Sequence, residues 1–190
     1  MKTYYQIRDA KNLAVVEKLC ESLPALCTEY FDDLLIGRAP STLANYARQL
    51  FTFFEYMECE TPVFSTMKAF TLGTVHMLTT DDIVSFMCFL KTKGVSDATI
   101  LSYLRTLSAF FAHFIRKRKL LSNPVEGVVR PKKKKTLKIY LDAIDIKRFE
   151  YAVNDGTGLS DRVAKYQISI RSQERDMAIF ALFLDTGVRV

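Results

Sequence analysis

The stretch SDATILSYLRTLSAFFAHFIRKRK, from Ser96 to Lys119, decides the fold. Apolar residues recur at Ile100, Leu104, Leu107, Phe111 and Phe114, the spacing that lays one stripe along an α-helix. Ser96-Asp97 offer a cap and an acidic first turn, while Arg116, Lys117, Arg118 and Lys119 place cations at the C-terminal end. The other side of the helix holds Thr99, Ser102, Tyr103, Arg105 and Thr106. A helix with one such stripe needs partners to cover it, and its flanks supply them.

Upstream, Thr79-Thr80-Asp81-Asp82 reads as a capping box, with Thr79 the cap and Asp82 three residues on. Ile83, Phe86, Met87 and Leu90 follow, and Gly94 stops that helix. Residues 60–78 have no period and read as a loop. Before them, Ala39-Pro40-Ser41-Thr42 opens a helix whose apolar positions are Leu43, Ala47, Leu50, Phe54 and Met57, ending near Glu58. Its opposite side carries Thr42, Asn45, Arg48, Gln49 and Thr52. Residues 11–36 are helical too, split at Pro24 and closed by Gly37. Four amphipathic helices with short to moderate connections make a bundle. Residues 1–20 could be an arm, a partner surface or part of it.

Downstream, Asn123-Pro124 marks the end of the bundle. Residues 130–138 then hold six cations in nine positions, a charge density that favours an extended linker. A second domain starts with Tyr140-Leu141 and the cap pattern Asp142-Ala-Ile-Asp145, with a helix to about Val153. Asn154-Asp155-Gly156-Thr157-Gly158 is a turn, and it lacks the third glycine of a dinucleotide loop. Ser172 is offered as the cap of a last helix whose core, Met177 to Leu184, is apolar all round and calls for burial on every side. Too little chain follows to cover it, so a larger domain cut short is expected. The expected architecture is mainly α: a helical domain over 1–122, a basic linker over 123–138, and the start of another domain over 139–190.

Composition agrees with a globular chain. Of 190 residues, 49% are hydrophobic and 25% charged, which excludes a disordered polyelectrolyte. No apolar run reaches the roughly 18 residues of a membrane span, and the N-terminus lacks the apolar core of a secretory signal, so a cytoplasmic protein is expected. The four cysteines, Cys20, Cys27, Cys59 and Cys88, form no CxxC pair, and His76 and His113 lie far apart; reduced, buried thiols and no metal are expected. The formal net charge is +6, yet Gly94–Lys138 alone holds eleven Lys/Arg against two acids. That clustering suits a polyanion such as nucleic acid. Lys132, Lys133, Lys134 and Lys135 are the candidate phosphate contacts. The faces at 42–52 and 99–106 are rich in Thr, Asn, Gln, Ser, Tyr and Arg rather than Glu and Lys, short hydrogen-bonding groups that can approach a DNA backbone or base edge. Arg189, in Thr186-Gly187-Val188-Arg189, is a further candidate for gripping a phosphate.

Taken in order, these segments resemble the tyrosine recombinase (phage integrase) family. The resemblance rests on Ser41-Thr-Leu-Ala-Asn-Tyr46 leading to Leu50-Phe-Thr-Phe-Phe54, on Leu78-Thr-Thr-Asp-Asp-Ile83, and on Thr99 to Phe111 followed by Asn123-Pro124 and the Pro-Lys stretch. It continues through Tyr140-Leu141-Asp142 and Arg175 to Arg189, covering roughly residues 25–190. It implies a SAM-like core-binding bundle and an α+β catalytic domain clamped on opposite faces of double-stranded DNA. Thr42, Asn45, Arg48, Thr99, Tyr103 and Arg105 are then the candidate DNA contacts, and Arg189 matches the first catalytic arginine. It implies strand exchange through a 3′-phosphotyrosyl link with neither metal nor ATP, and self-association on DNA. The catalytic lysine, His-x-x-Arg motif and nucleophilic tyrosine that the family places downstream of the Thr-Gly-x-Arg segment are not present here, so the chain itself is expected to be inactive. Residues 155–172 are longer than the family pattern. A non-enzymatic helical DNA-binding protein and a helical protein-interaction module remain the alternatives.

Overall fold

The computed structural model describes residues 3–60, 66–132, 142–155 and 170–186. The chain divides into two compact units, residues 1–134 and 135–190. The protein is mainly α, and no strand occurs among the described residues.

Among its described residues the first unit holds six α-helices: α1 Tyr4–Cys20, α2 Ala25–Leu34, α3 Pro40–Glu60, α4 Leu72–His76, α5 Thr80–Thr92 and α6 Asp97–Arg116. Thr3 and Gln6 form a capping box that starts α1, well before residue 11, and α1 lies along α3 as part of the bundle. Pro24 separates α1 from α2, as its ring requires. α3 opens at Pro40, where a missing N–H costs nothing in the first turn. Thr79 caps α5, with Asp82 Oδ2 accepting from the Thr79 backbone N–H at 2.7 Å. Ser96 caps α6 through the Thr99 N–H. Gly94 sits at φ +77°, and Val95 N–H donates to Leu90 O at 3.0 Å, a left-handed C-terminal closure that glycine adopts without strain.

The interval 60–78 is not all loop. Met67–Ala69 forms a 3₁₀ turn and α4 follows, capped by a Thr71–Thr74 box. The pattern is short and lacks an acidic or amide partner, so it leaves no periodic trace. Phe70 and Val75 from this interval reach the core.

The core is aromatic. Ile100, Leu104, Leu107, Phe110, Phe111 and Phe114 of α6 are each no more than 2% exposed. They meet Leu50, Phe53, Phe54 and Met57 of α3, Phe86 of α5, and Tyr30 and Phe31 of α2. Phe110 stands edge-on to Tyr30 at 5.2 Å and Phe53 to Phe86 at 5.2 Å, the geometry ring quadrupoles favour. By length and hydropathy α6 could cross a membrane, but its apolar stripe is this core. The core runs on past α6 through Leu120, Val125 and Val128. Asn123 Oδ1 accepts from Val125 N–H at 3.1 Å and its amide donates to Ser108 of α6 at 3.2 Å, while Thr80 Oγ1 donates to Pro124 O at 3.1 Å.

In the second unit, α7 Ala143–Asp155 and α8 Ile170–Thr186 pack together, with Phe149 and Phe180 stacked at 4.7 Å. Asp142 Oδ1 caps α7 by accepting from Ile144 and Asp145 N–H, and the helix continues two residues past Val153 into the expected turn. α8 begins at Ile170, two residues before Ser172. Its apolar run is not buried on every side: Ile179, Leu182 and Leu184 are exposed.

Candidate nucleic-acid interface

The two polar faces meet, but part of what reads as surface is interior. Gln49 of α3 is 8% exposed and Thr106 of α6 is 1% exposed. Gln49 Nε2 donates to Ser102 Oγ at 2.9 Å, and Gln49 Oε1 accepts from Thr106 Oγ1 at 2.5 Å. One amide thus bridges two hydroxyls spaced a helical turn apart. Helical period cannot separate such a seam from the surface, because its angle lies between the apolar stripe and the exposed face.

Around the seam, Asn45, Arg48, Thr99 and Arg105 are exposed, and Thr42 and Tyr103 are half-buried. Arg48 and Arg105 each adjoin a seam residue in sequence, one per helix, and no carboxylate pairs with either among the described residues. Tyr103 packs its ring against Phe86 at 5.7 Å, so its body serves the core. Thr99 is held in the α6 cap, its Oγ1 2.9 Å from Ser96 Oγ. Lys132 is exposed; Lys133, Lys134, Lys135 and Arg189 lie outside the described residues.

The cationic end of α6 is partly neutralised. Lys117 pairs with Asp33 and, at 2.9 Å, with Glu29; Lys119 pairs with Glu29 at 2.6 Å. Hydrogen bonds from Lys119 and Lys117 hold the Glu29 carboxyl below its ordinary range, and Lys117 does the same to Asp33. The signal was the acidic pair Glu29 and Asp33, one turn apart on α2 beside buried Tyr30. Arg118 sits in the left-handed region at φ 57°, with no carboxylate partner among the described residues.

The cysteines depart from expectation. All four are free thiols, but only Cys27 is buried; Cys20 is half-buried, and Cys59 and Cys88 are exposed. Apolar neighbours at i±1 do not bury Cys88, because on a helix they point elsewhere. Burial pushes the Cys27 thiol and the Tyr30 phenol well above their ordinary values, which removes both as nucleophiles. Among the described residues no group of His, Cys, Asp or Glu is placed to hold a metal ion.

The bundle thus presents one exposed arginine on each of the two helices that share the polar seam. The N-terminal SAM-like domain of phage integrases matches residues 27–119, from α2 to the end of the α6 cap. The tyrosine recombinase XerD of Listeria innocua is 25% identical over 154 residues, covering 81% of this chain and 44% of that protein. The tyrosine recombinase XerS of Streptococcus mutans is 27% identical over 206 residues, covering 94% and 58%. A putative tyrosine recombinase of Caldanaerobacter subterraneus is 30% identical over 125 residues, covering 64% and 39%. No solved structure shows a significant match. Residues 27–119 thus match the N-terminal SAM-like domain of phage integrases, and the chain spans less than half the length of the XerD tyrosine recombinases it is similar to.

Proposed function

We propose that the first unit binds double-stranded DNA as the core-binding part of a tyrosine recombinase. The observation that carries this reading is Arg48 and Arg105, exposed and without a carboxylate partner among the described residues, on facing helices of the matched domain. Asn45, Thr42 and Thr99 add short polar groups on the same helices, and Lys132 begins the basic strap. Cations of this kind neutralise phosphates and release counterions, so affinity depends on salt. In the complete reaction a tyrosine attacks a phosphodiester, leaving a 3′-phosphotyrosyl link and a free 5′-hydroxyl. Arg189 then stabilises charge on the phosphorus. Copies of the recombinase assemble on the DNA.

Fluorescence anisotropy on a labelled duplex tests the reading. Affinity falls steeply between about 50 and 200 mM salt. Arg48→Ala or Arg105→Ala costs ~1–3 kcal/mol on a preferred sequence if the guanidinium reads a base. If it holds phosphate, the loss is equal on all sequences and the salt slope drops by about 1. Absence of binding even at low salt overturns the proposal.

A further inference from the structure

We infer that Gln49 is a positioning residue for DNA recognition: its buried amide sets the register of α3 against α6 and so the separation of Arg48 and Arg105. The inference rests on the DNA-binding reading above. Beside the apolar core residues of α3 and α6, Gln49 uses both ends of its amide, Nε2 on Ser102 and Oε1 on Thr106. Sliding α3 by a turn, or rotating it, breaks both bonds at once and strands a buried amide and a buried hydroxyl, which is unfavourable without a new partner. An apolar residue of similar size would pack in several registers with little difference between them. A buried polar group that rejects alternative registers is a known device in paired helices. Here the residues held in register are the exposed arginines next to the seam, Arg48 before Gln49 and Arg105 before Thr106. Phosphate attraction tolerates small shifts in their spacing, whereas paired hydrogen bonds to base edges do not. Gln49 therefore governs discrimination between sequences more than total affinity.

The test uses the full 190-residue chain and a random-sequence duplex library, from which the wild type selects its preferred duplex. Gln49→Met and Thr106→Val keep side-chain volume and remove the bridge; Thr106→Ser keeps the hydroxyl. Ser102→Ala, at a half-buried position, removes one bond with the least disturbance to packing. Thermal melting reports folding for each. The expected result is an affinity loss of about tenfold on the selected duplex for Gln49→Met and Thr106→Val, with binding to random duplex within about twofold of wild type. Thr106→Ser retains discrimination and Ser102→Ala loses part of it. If Gln49→Met fails to fold, Ser102→Ala and the Thr106 pair decide. Equal discrimination in all folded variants overturns the inference, as does a wild type that binds duplex yet selects no preferred sequence. A wild type that binds no duplex overturns the DNA-binding reading itself.

Discussion

His113 is the residue whose surroundings conflict with its own charge. Its ring is 7% exposed, edge-on to Tyr30 and Phe114, and Nε2 lies 3.2 Å from Asp33 Oδ2 without a hydrogen bond. Burial lowers its pKa first, Lys117 and Arg116 add to that, and Asp33 and Glu29 pull the other way. The folded protein therefore keeps His113 neutral at a pH where an unfolded chain, with an ordinary histidine near 6.5, takes up a proton. Its contribution to stability is complete above about pH 6.5 and declines as pH falls below that. Glu29 and Asp33, held below their ordinary range, lose their share only at lower pH, through the acid limb. His113→Phe is expected to flatten the fall in melting temperature between about pH 7 and 5 and to leave the lower limb in place. An unchanged profile in that variant would assign the whole slope to the carboxylates.

At the scale of elements, the helix ends carry the most information. Thr79 with Asp82, Ser96, Gly94 and Pro24 each announce a boundary through local chemistry, and α5 and α6 start and stop where those residues indicate. α4 and the 3₁₀ turn went unread because a five-residue helix has too few positions for a period. The candidate face was half legible. Arg48, Arg105 and Asn45 are exposed as their polar positions suggest, but Gln49 and Thr106 are taken inside by the helix that faces them, which depends on the packing of distant segments. One helix end has an unexpected occupant. Arg118 fills the left-handed closing position of α6, with Lys119 N–H donating to Phe114 O at 2.8 Å and Arg118 N–H to Ile115 O at 2.8 Å. A glycine there avoids the side-chain penalty. Arg118→Gly is expected to stabilise the bundle by roughly 0.5–1 kcal/mol, read from denaturant midpoints. A destabilised variant would show that the guanidinium makes a compensating contact in the folded state.

At the scale of the molecule, the buried apolar cluster among the described residues runs from Val16 to Val128, within the first unit. Residues 1–134 made alone are therefore expected to unfold in one cooperative transition, at a melting temperature close to that unit's in the full chain. Aggregation or a non-cooperative melt of that piece would show that its core needs the second unit. The cationic character of the molecule also changes once folding is taken into account. Arg116, Lys117, Arg118 and Lys119 sum to four charges on paper, yet Lys117 and Lys119 are already answered by Glu29 and Asp33 across the bundle. On the DNA-binding proposal, a double helix at that end would meet two guanidinium groups, because the ammonium groups serve as rivets for α2. Counting ions displaced from the duplex by formal charge would overshoot by about two there, and the measured exponent of the salt dependence should be compared with the smaller number.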